Sequence, residues 1–170
     1  MASKVAFVTG AGSGIGRGTA QLFASRGYAV ALADIAEKGL RETEALIRDA
    51  GGECAYFVCN VADDASVKAA VDGAVARFSK IDAAFNAAGI DGESGKMTAD
   101  CSMENWHRVI GIDLTGIFHC LRHQIPAMLA SQHSDGAIAE PCRRAYWLLA
   151  PLPQWRQKKV KALVAFLTGD

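Results

Sequence analysis

Apolar residues along this chain follow two rhythms, and the rhythms alternate. Lys4 to Thr9 is a short, nearly unbroken apolar run that ends in glycine, which predicts a strand buried on both faces. A glycine-rich turn and a helix from about Ile15 to Arg26 follow, with Gly27 as the stop. Tyr28–Ala33 predicts a second strand, closed by Asp34. Lys38–Ala50 predicts a helix with Leu40, Thr43, Leu46, Ile47 and Ala50 near one face, and Cys54–Val58 a third strand. Ser66 is placed to cap a helix carrying Val67, Ala70, Val71, Ala74, Val75 and Phe78 at i, i+3, i+4 spacing. Asp82–Asn86 predicts a fourth strand and Leu114–Leu129 a long helix. Gly136–Ala139 is a candidate fifth strand, and Val160 to Leu167 has helical spacing. Repeated strand–helix units of this kind predict an α/β fold, a doubly wound parallel sheet truncated after about five strands. Such sheets bind ligands outside the carboxyl ends of their strands.

The candidate chemistry sits at those ends. Thr9-Gly10-Ala11-Gly12-Ser13-Gly14-Ile15-Gly16 joins the first strand to the first helix. Glycines there allow a tight turn and let backbone N–H groups approach a diphosphate, while the helix N-terminus adds partial positive charge. Asp34 follows Gly16 by 18 residues, at the tip of strand 2. A carboxylate there accepts hydrogen bonds from ribose hydroxyls and repels a 2′-phosphate. Its neighbour is Ile35 rather than a basic residue, and Arg17 is expected to point to solvent, so NAD is expected over NADP.

Composition narrows the setting. Basic and acidic residues balance at 18 each with no basic stripe, so neither nucleic acid nor a membrane surface is an expected partner. The start has only a short apolar run, and the five cysteines are odd in number without a CxxC pair. A cytoplasmic protein with free thiols is expected.

The spacing Thr-Gly-x-x-x-Gly-Ile-Gly resembles the fingerprint of the short-chain dehydrogenase/reductase family, and three further segments agree. Asn60-Val61 is similar to the family's Asp-Val pair that contacts adenine. Asn86-Ala87-Ala88-Gly89 resembles its Asn-Asn-Ala-Gly segment, which stabilises the central sheet and borders the cofactor. Ile112-Asp113-Leu114-Thr115-Gly116-Ile117-Phe118 looks like the start of its interface helix. The resemblance implies a Rossmann-like fold binding NAD through Gly10, Ser13, Gly14, Ile15, Gly16, Asp34, Ile35, Asn60, Val61, Asn86, Ala87, Ala88 and Gly89. It further implies an oxidoreductase that oxidises a secondary alcohol or reduces a carbonyl, and a possible homo-oligomer through the helix over residues 114–129.

The resemblance stops short of the catalytic set, which in the family is Asn, Ser and a YxxxK pair. A tyrosine acts as a base near neutral pH only if a neighbouring cation stabilises its anion. Four residues after Tyr28, Tyr56 and Tyr146 stand Leu32, Asn60 and Ala150, so no tyrosine has its lysine. By distance from Gly89, Trp155 falls in the tyrosine slot, Cys142 or Arg143 in the serine slot, Asp113 in the asparagine slot, and only Lys159 matches. Catalytic residues therefore stay unassigned. Three of the four prolines and two of the three tryptophans fall between residues 141 and 156, a shift in composition at the same place. The domain divides into an NAD-binding region over 1–130 and an aberrant segment over 131–170. Two origins stay open: a reading-frame change near residue 131, or a non-catalytic NAD-binding or interaction module.

His119 and His123 are one helical turn apart but have no obvious third ligand, so no metal is expected and both are placed on the exposed or subunit-facing side. Cys54 and Cys59 are expected as small buried hydrophobes, and Trp106 as helix packing.

Overall fold

A computed structural model describes residues 4–133 and 148–149, with side chains described through residue 130. Its strands are β1 (Val5–Thr9), β2 (Ala29–Asp34), β3 (Cys54–Val58), β4 (Ala83–Asn86) and the two-residue β5 (Leu148–Leu149). The helices are α1 (Gly14–Ser25), α2 (Glu37–Asp49), α3 (Asp64–Phe78), α4 (Met103–Val109) and α5 (Gly116–His133). All described strand pairs are parallel, in the order β3-β2-β1-β4-β5. The chain thus moves outward from β1 through β2 to β3 and then crosses back to β4 on the other side. The direction of winding reverses between β1 and β4, where such sheets open a crevice.

Every residue of β1 is buried, as an uninterrupted apolar strand requires. Its side chains feed two cores. Ala6 and Val8 join Ala20, Phe23, Val30, Leu32, Leu40, Ile47 and Phe85 under α1 and α2. Phe7 faces the other way, with Ala31, Ala33, Val67, Val71, Ala74, Ile81 and Cys120 under α3 and α5. A helix layer on each face makes the sheet doubly wound, as the alternation of elements predicts. Cys54 and Cys59 are buried, as expected for small hydrophobes.

Local departures have local causes. Ser66 does not cap α3; Asp63 does, accepting from the Ala65 N–H at 3.0 Å, and Ser66 Oγ instead accepts the Asn60 N–H at 3.0 Å. Leu46 is exposed, because α2 packs through Leu40, Thr43 and Ile47. Trp106 lies 56% exposed on α4 rather than in a packed seam. Before α5 the backbone makes a π-helical turn over Ile110–Thr115, so the regular helix starts two residues later than its apolar spacing predicts. The candidate strand Gly136–Ala139, the helical spacing at 160–167 and the slots at 142, 143, 155 and 159 lie outside the described residues. Among the described residues, no helix is long and apolar enough to cross a membrane.

Candidate functional site

Register brings the ends of the central strands level. Thr9 pairs with Ala33 of β2 on one side and Asn86 of β4 on the other, and Asp34 pairs with Val58. Thr9 is the hub. Its hydroxyl donates to Asn86 Oδ1 at 3.4 Å and accepts the N–H groups of Ala87 and Ala88 at 3.1 and 3.3 Å. Asn86 in turn forms a reciprocal amide pair with Gln124 of α5, both bonds 2.9 Å, and both side chains are buried. The segment over 86–89 is thereby fixed against the glycine turn.

The turn itself is built by close approach. Gly10 has φ of 66°, and a Cβ there would lie 2.8 Å from the Ala87 carbonyl carbon. At Gly16 a Cβ would lie 2.0 Å from the Gly10 oxygen, so only glycine lets α1 begin this close to the end of β1. Gly14, with φ of 51°, has the opposite surroundings: a Cβ there would meet nothing within 4 Å. Ser13 precedes α1 in extended backbone and makes no side-chain cap bond. The first-turn N–H groups of α1 have no partner within their own helix, and Ser13 and Gly14 are exposed beside them. An anion is the natural acceptor for such groups.

Asp34 is held at both oxygens. Oδ2 accepts the Gly12 N–H at 2.9 Å and Oδ1 the Ala36 N–H at 2.9 Å, which leaves each oxygen one further lone pair. Ile35 beside it is 67% exposed, an apolar side chain at the mouth of the crevice. Asn60 uses Oδ1 to accept from the Ala62 N–H at 3.1 Å, tightening the loop after β3. Val61 is buried against α5: a Cβ on Gly116 would lie 2.9 Å from its Cγ2, and its carbonyl accepts from His119 Nδ1 at 3.0 Å. At the far end Gly89 faces Asp113, whose Oδ1 accepts the Ile90 N–H at 3.0 Å. Burial pushes the Asp113 carboxyl up from its ordinary range, with the Asp91 charge adding to the effect.

Two expectations are corrected here. Arg17 does not extend into solvent: its side chain, 27% exposed, folds back onto the Gly12 and Gly39 carbonyls, the Thr43 hydroxyl and Glu42. His119 and His123 are not on the outer face of α5; His123 Nε2 lies 2.9 Å from Asp64 Oδ1, and both rings face the loop and helix that follow β3. Local periodicity also does not disclose Thr9, Gln124, Thr43 or His119 as supports of the site. Their partners lie 38 to 79 residues away for Thr9 and Gln124, with Ala11 32 from Thr43 and Val61 58 from His119.

A central parallel strand order of 3-2-1-4, a glycine turn opening α1 and a carboxylate closing β2 define a Rossmann-type α/β protein. Residues 4–140 match the family model for short chain dehydrogenase, and the chain belongs to the short-chain dehydrogenase/reductase family. It is 43% identical over 140 residues to a cyclohexanol dehydrogenase of an Acinetobacter species, covering 80% of this chain and 53% of that protein. A cis-4-hydroxycyclohexanecarboxylate dehydrogenase of Sinomonas cyclohexanicum is 42% identical over 137 residues, covering 81% of this chain and 53% of that one. Among solved structures, a short-chain dehydrogenase/reductase from Burkholderia phymatum in complex with NAD superposes with a TM-score of 0.73 at 37% identity, covering 77% of this chain and 46% of that chain. The chain spans about half the length of the curated relatives it matches.

Proposed function

We propose that this chain binds NAD across the carboxyl ends of β1, β2, β3 and β4, with residues 1–130 forming the cofactor-binding region and residues 131–170 continuing the same domain. The observation that carries the reading is the double anchoring of Asp34 by the Gly12 and Ala36 N–H groups. A carboxylate held on two sides cannot swing away, so it accepts the adenosine ribose hydroxyls and stands against a 2′-phosphate. The diphosphate lies over Ser13, Gly14, Ile15 and Gly16. Ile35 and the Asn60-Val61 loop flank the adenine, and Asn86–Gly89 borders the nicotinamide half.

The reaction class is hydride transfer between the nicotinamide ring and a secondary alcohol or its carbonyl form. Two relatives named for cyclohexane-ring alcohols make a cyclic secondary alcohol the favoured substrate class. When bound, the cofactor supplies the hydride acceptor; the protein must supply a base for the hydroxyl proton. None of the three tyrosines stands four residues before a lysine, so these 170 residues by themselves hold NAD without turning over alcohol.

Calorimetric titration with NAD and NADP tests the reading. NAD is expected to bind at least about tenfold more tightly than NADP, and Asp34→Ala to lose roughly 10- to 100-fold in NAD affinity, the scale of hydrogen bonds to one charged group. Equal binding of NADP, or an Asp34→Ala variant that binds NAD like the parent, would overturn it.

A further inference from the structure

The diphosphate loop is clasped from behind. Arg17 Nη2 donates to the Gly12 carbonyl at 2.5 Å and to the Gly39 carbonyl at 3.3 Å, while Nε donates to Thr43 Oγ1 at 2.9 Å. The Thr43 hydroxyl is fully buried and has one proton to give; Ala11 O at 2.8 Å and Gly39 O at 3.0 Å are the acceptors in reach. Glu42 holds the outer side of the guanidinium at 2.8 Å. Gly39 makes the approach possible, since a Cβ there would lie 2.5 Å from the Gly12 oxygen.

The carbonyls captured are those of two successive peptide units of the glycine turn. In a planar trans peptide the C=O and N–H point in opposite directions. The first unit confirms the consequence: with Ala11 O held by Thr43, the Gly12 N–H emerges on the far side and meets Asp34 Oδ2 at 2.9 Å. In the second unit Arg17 holds Gly12 O, which turns the Ser13 N–H toward the exposed side of the loop.

We infer that Arg17 and Thr43 are positioning residues for the dinucleotide: Thr43 sets the peptide that fixes the ribose-binding Asp34, and Arg17 sets the peptide that offers its N–H to the diphosphate. This rests on the NAD reading above. Every bond of the clasp is between protein groups, so it holds the loop in shape from its own side, and affinity gains what ordering would have cost. Arg17 acts through its fork and not as a free charge, because Nε and Nη2 are engaged with carbonyls, a hydroxyl and the Glu42 carboxylate.

The experiment measures NAD binding to the full chain at low temperature, far below unfolding, with urea stability determined in parallel. Arg17→Ala and Thr43→Val are each expected to weaken NAD by about tenfold or more, the loss of one oriented donor, in protein that remains folded. Thr43→Ser, which restores the hydroxyl, is expected to return affinity to within about twofold of the parent. A purely structural role would lower urea stability and leave the affinity of folded protein unchanged, and that result overturns the inference. If Arg17→Ala does not fold, Thr43→Val with its serine rescue decides alone. If the parent chain itself ignores NAD, the reading of the site fails and the inference with it; if the parent binds and the variants bind equally, only the inference fails.

Discussion

Asp113 keeps a carboxylate where its surroundings oppose one. It is partly buried beside Gly89, and the Asp91 charge works in the same direction; only the Ile90 N–H favours the ionised form. Its pKa is therefore higher in the folded chain than in the unfolded one. In the window from the unfolded value near 3.8 up through the raised folded value, the native state binds more protons, so stability falls as pH rises. Above that window the penalty is fully present, and below it the penalty is absent. Asp113→Asn keeps an oxygen for the Ile90 N–H and removes the charge. It is expected to melt at a higher temperature than the parent at pH 7, with the gain shrinking as pH falls through the raised folded value and gone below the unfolded value of 3.8. A calorimetric melting series across that range checks it, and a pH-independent difference or a loss at pH 7 would refute it. At this scale the sequence was unevenly readable. Asp34 and Gly16 are visible because their neighbours in the chain explain them. Arg17 is not: helical spacing aims it outward, and only the missing side chain at Gly39, 22 residues on, opens the path back to the loop.

Among the elements, α5 does two jobs with two faces. Gly116, Cys120 and Gln124 recur every four residues and are buried. Gly116 packs against Val61, and Gln124 reaches Asn86 at the end of β4. Gln124→Leu would leave the Asn86 amide without its partner in a dry core, at a cost of about 1–3 kcal/mol. A reduced urea midpoint is expected, together with weaker NAD binding, since Asn86 also holds the Thr9 hydroxyl that orders Ala87 and Ala88. Unchanged stability would mean that the amide pair contributes nothing net. The existence of α5 is legible from Ile117, Leu121 and Met128. Its buried polar side is not, because Gln124 falls among apolar residues and its partner lies 38 positions earlier. The same holds at α3. Asp63 and Ser66 are both able to cap a helix, and the choice is made by the loop after β3, which takes the serine oxygen for the Asn60 N–H.

For the whole molecule, alternating strands and helices made the doubly wound sheet legible, since strands apolar throughout leave no face for water. No local pattern says that β4 returns to the far side of β1; right-handed crossovers put the ends of strands 1 and 4 at a shared crevice, and the sheet order agrees. The outward face of α5 and of the π-helical turn before it also becomes clear only in three dimensions. Leu114, Phe118, Ile125 and Leu129 stand 64%, 60%, 36% and 42% exposed, at spacings that place them on one stripe, and Trp106 is 56% exposed on the preceding helix. Apolar area of this kind on a folded surface marks a contact surface. The stripe lies opposite Gly116, Cys120 and Gln124, so a partner could cover it without disturbing the buried face of the helix. The expected occupant is a second copy in two-fold pairing, each stripe on its mate. Light scattering during size-exclusion chromatography is expected to show a dimer at high micromolar concentration. Phe118→Glu, which puts a charge at the centre of the stripe, is expected to weaken association by roughly 30-fold or more, the effect of losing a central aromatic anchor. Phe118 is absent from the cofactor contacts proposed above, so NAD affinity per chain should stay as in the parent. A parent that remains monomeric, or a Phe118→Glu variant that dimerises equally well, would show that this face serves something other than self-association.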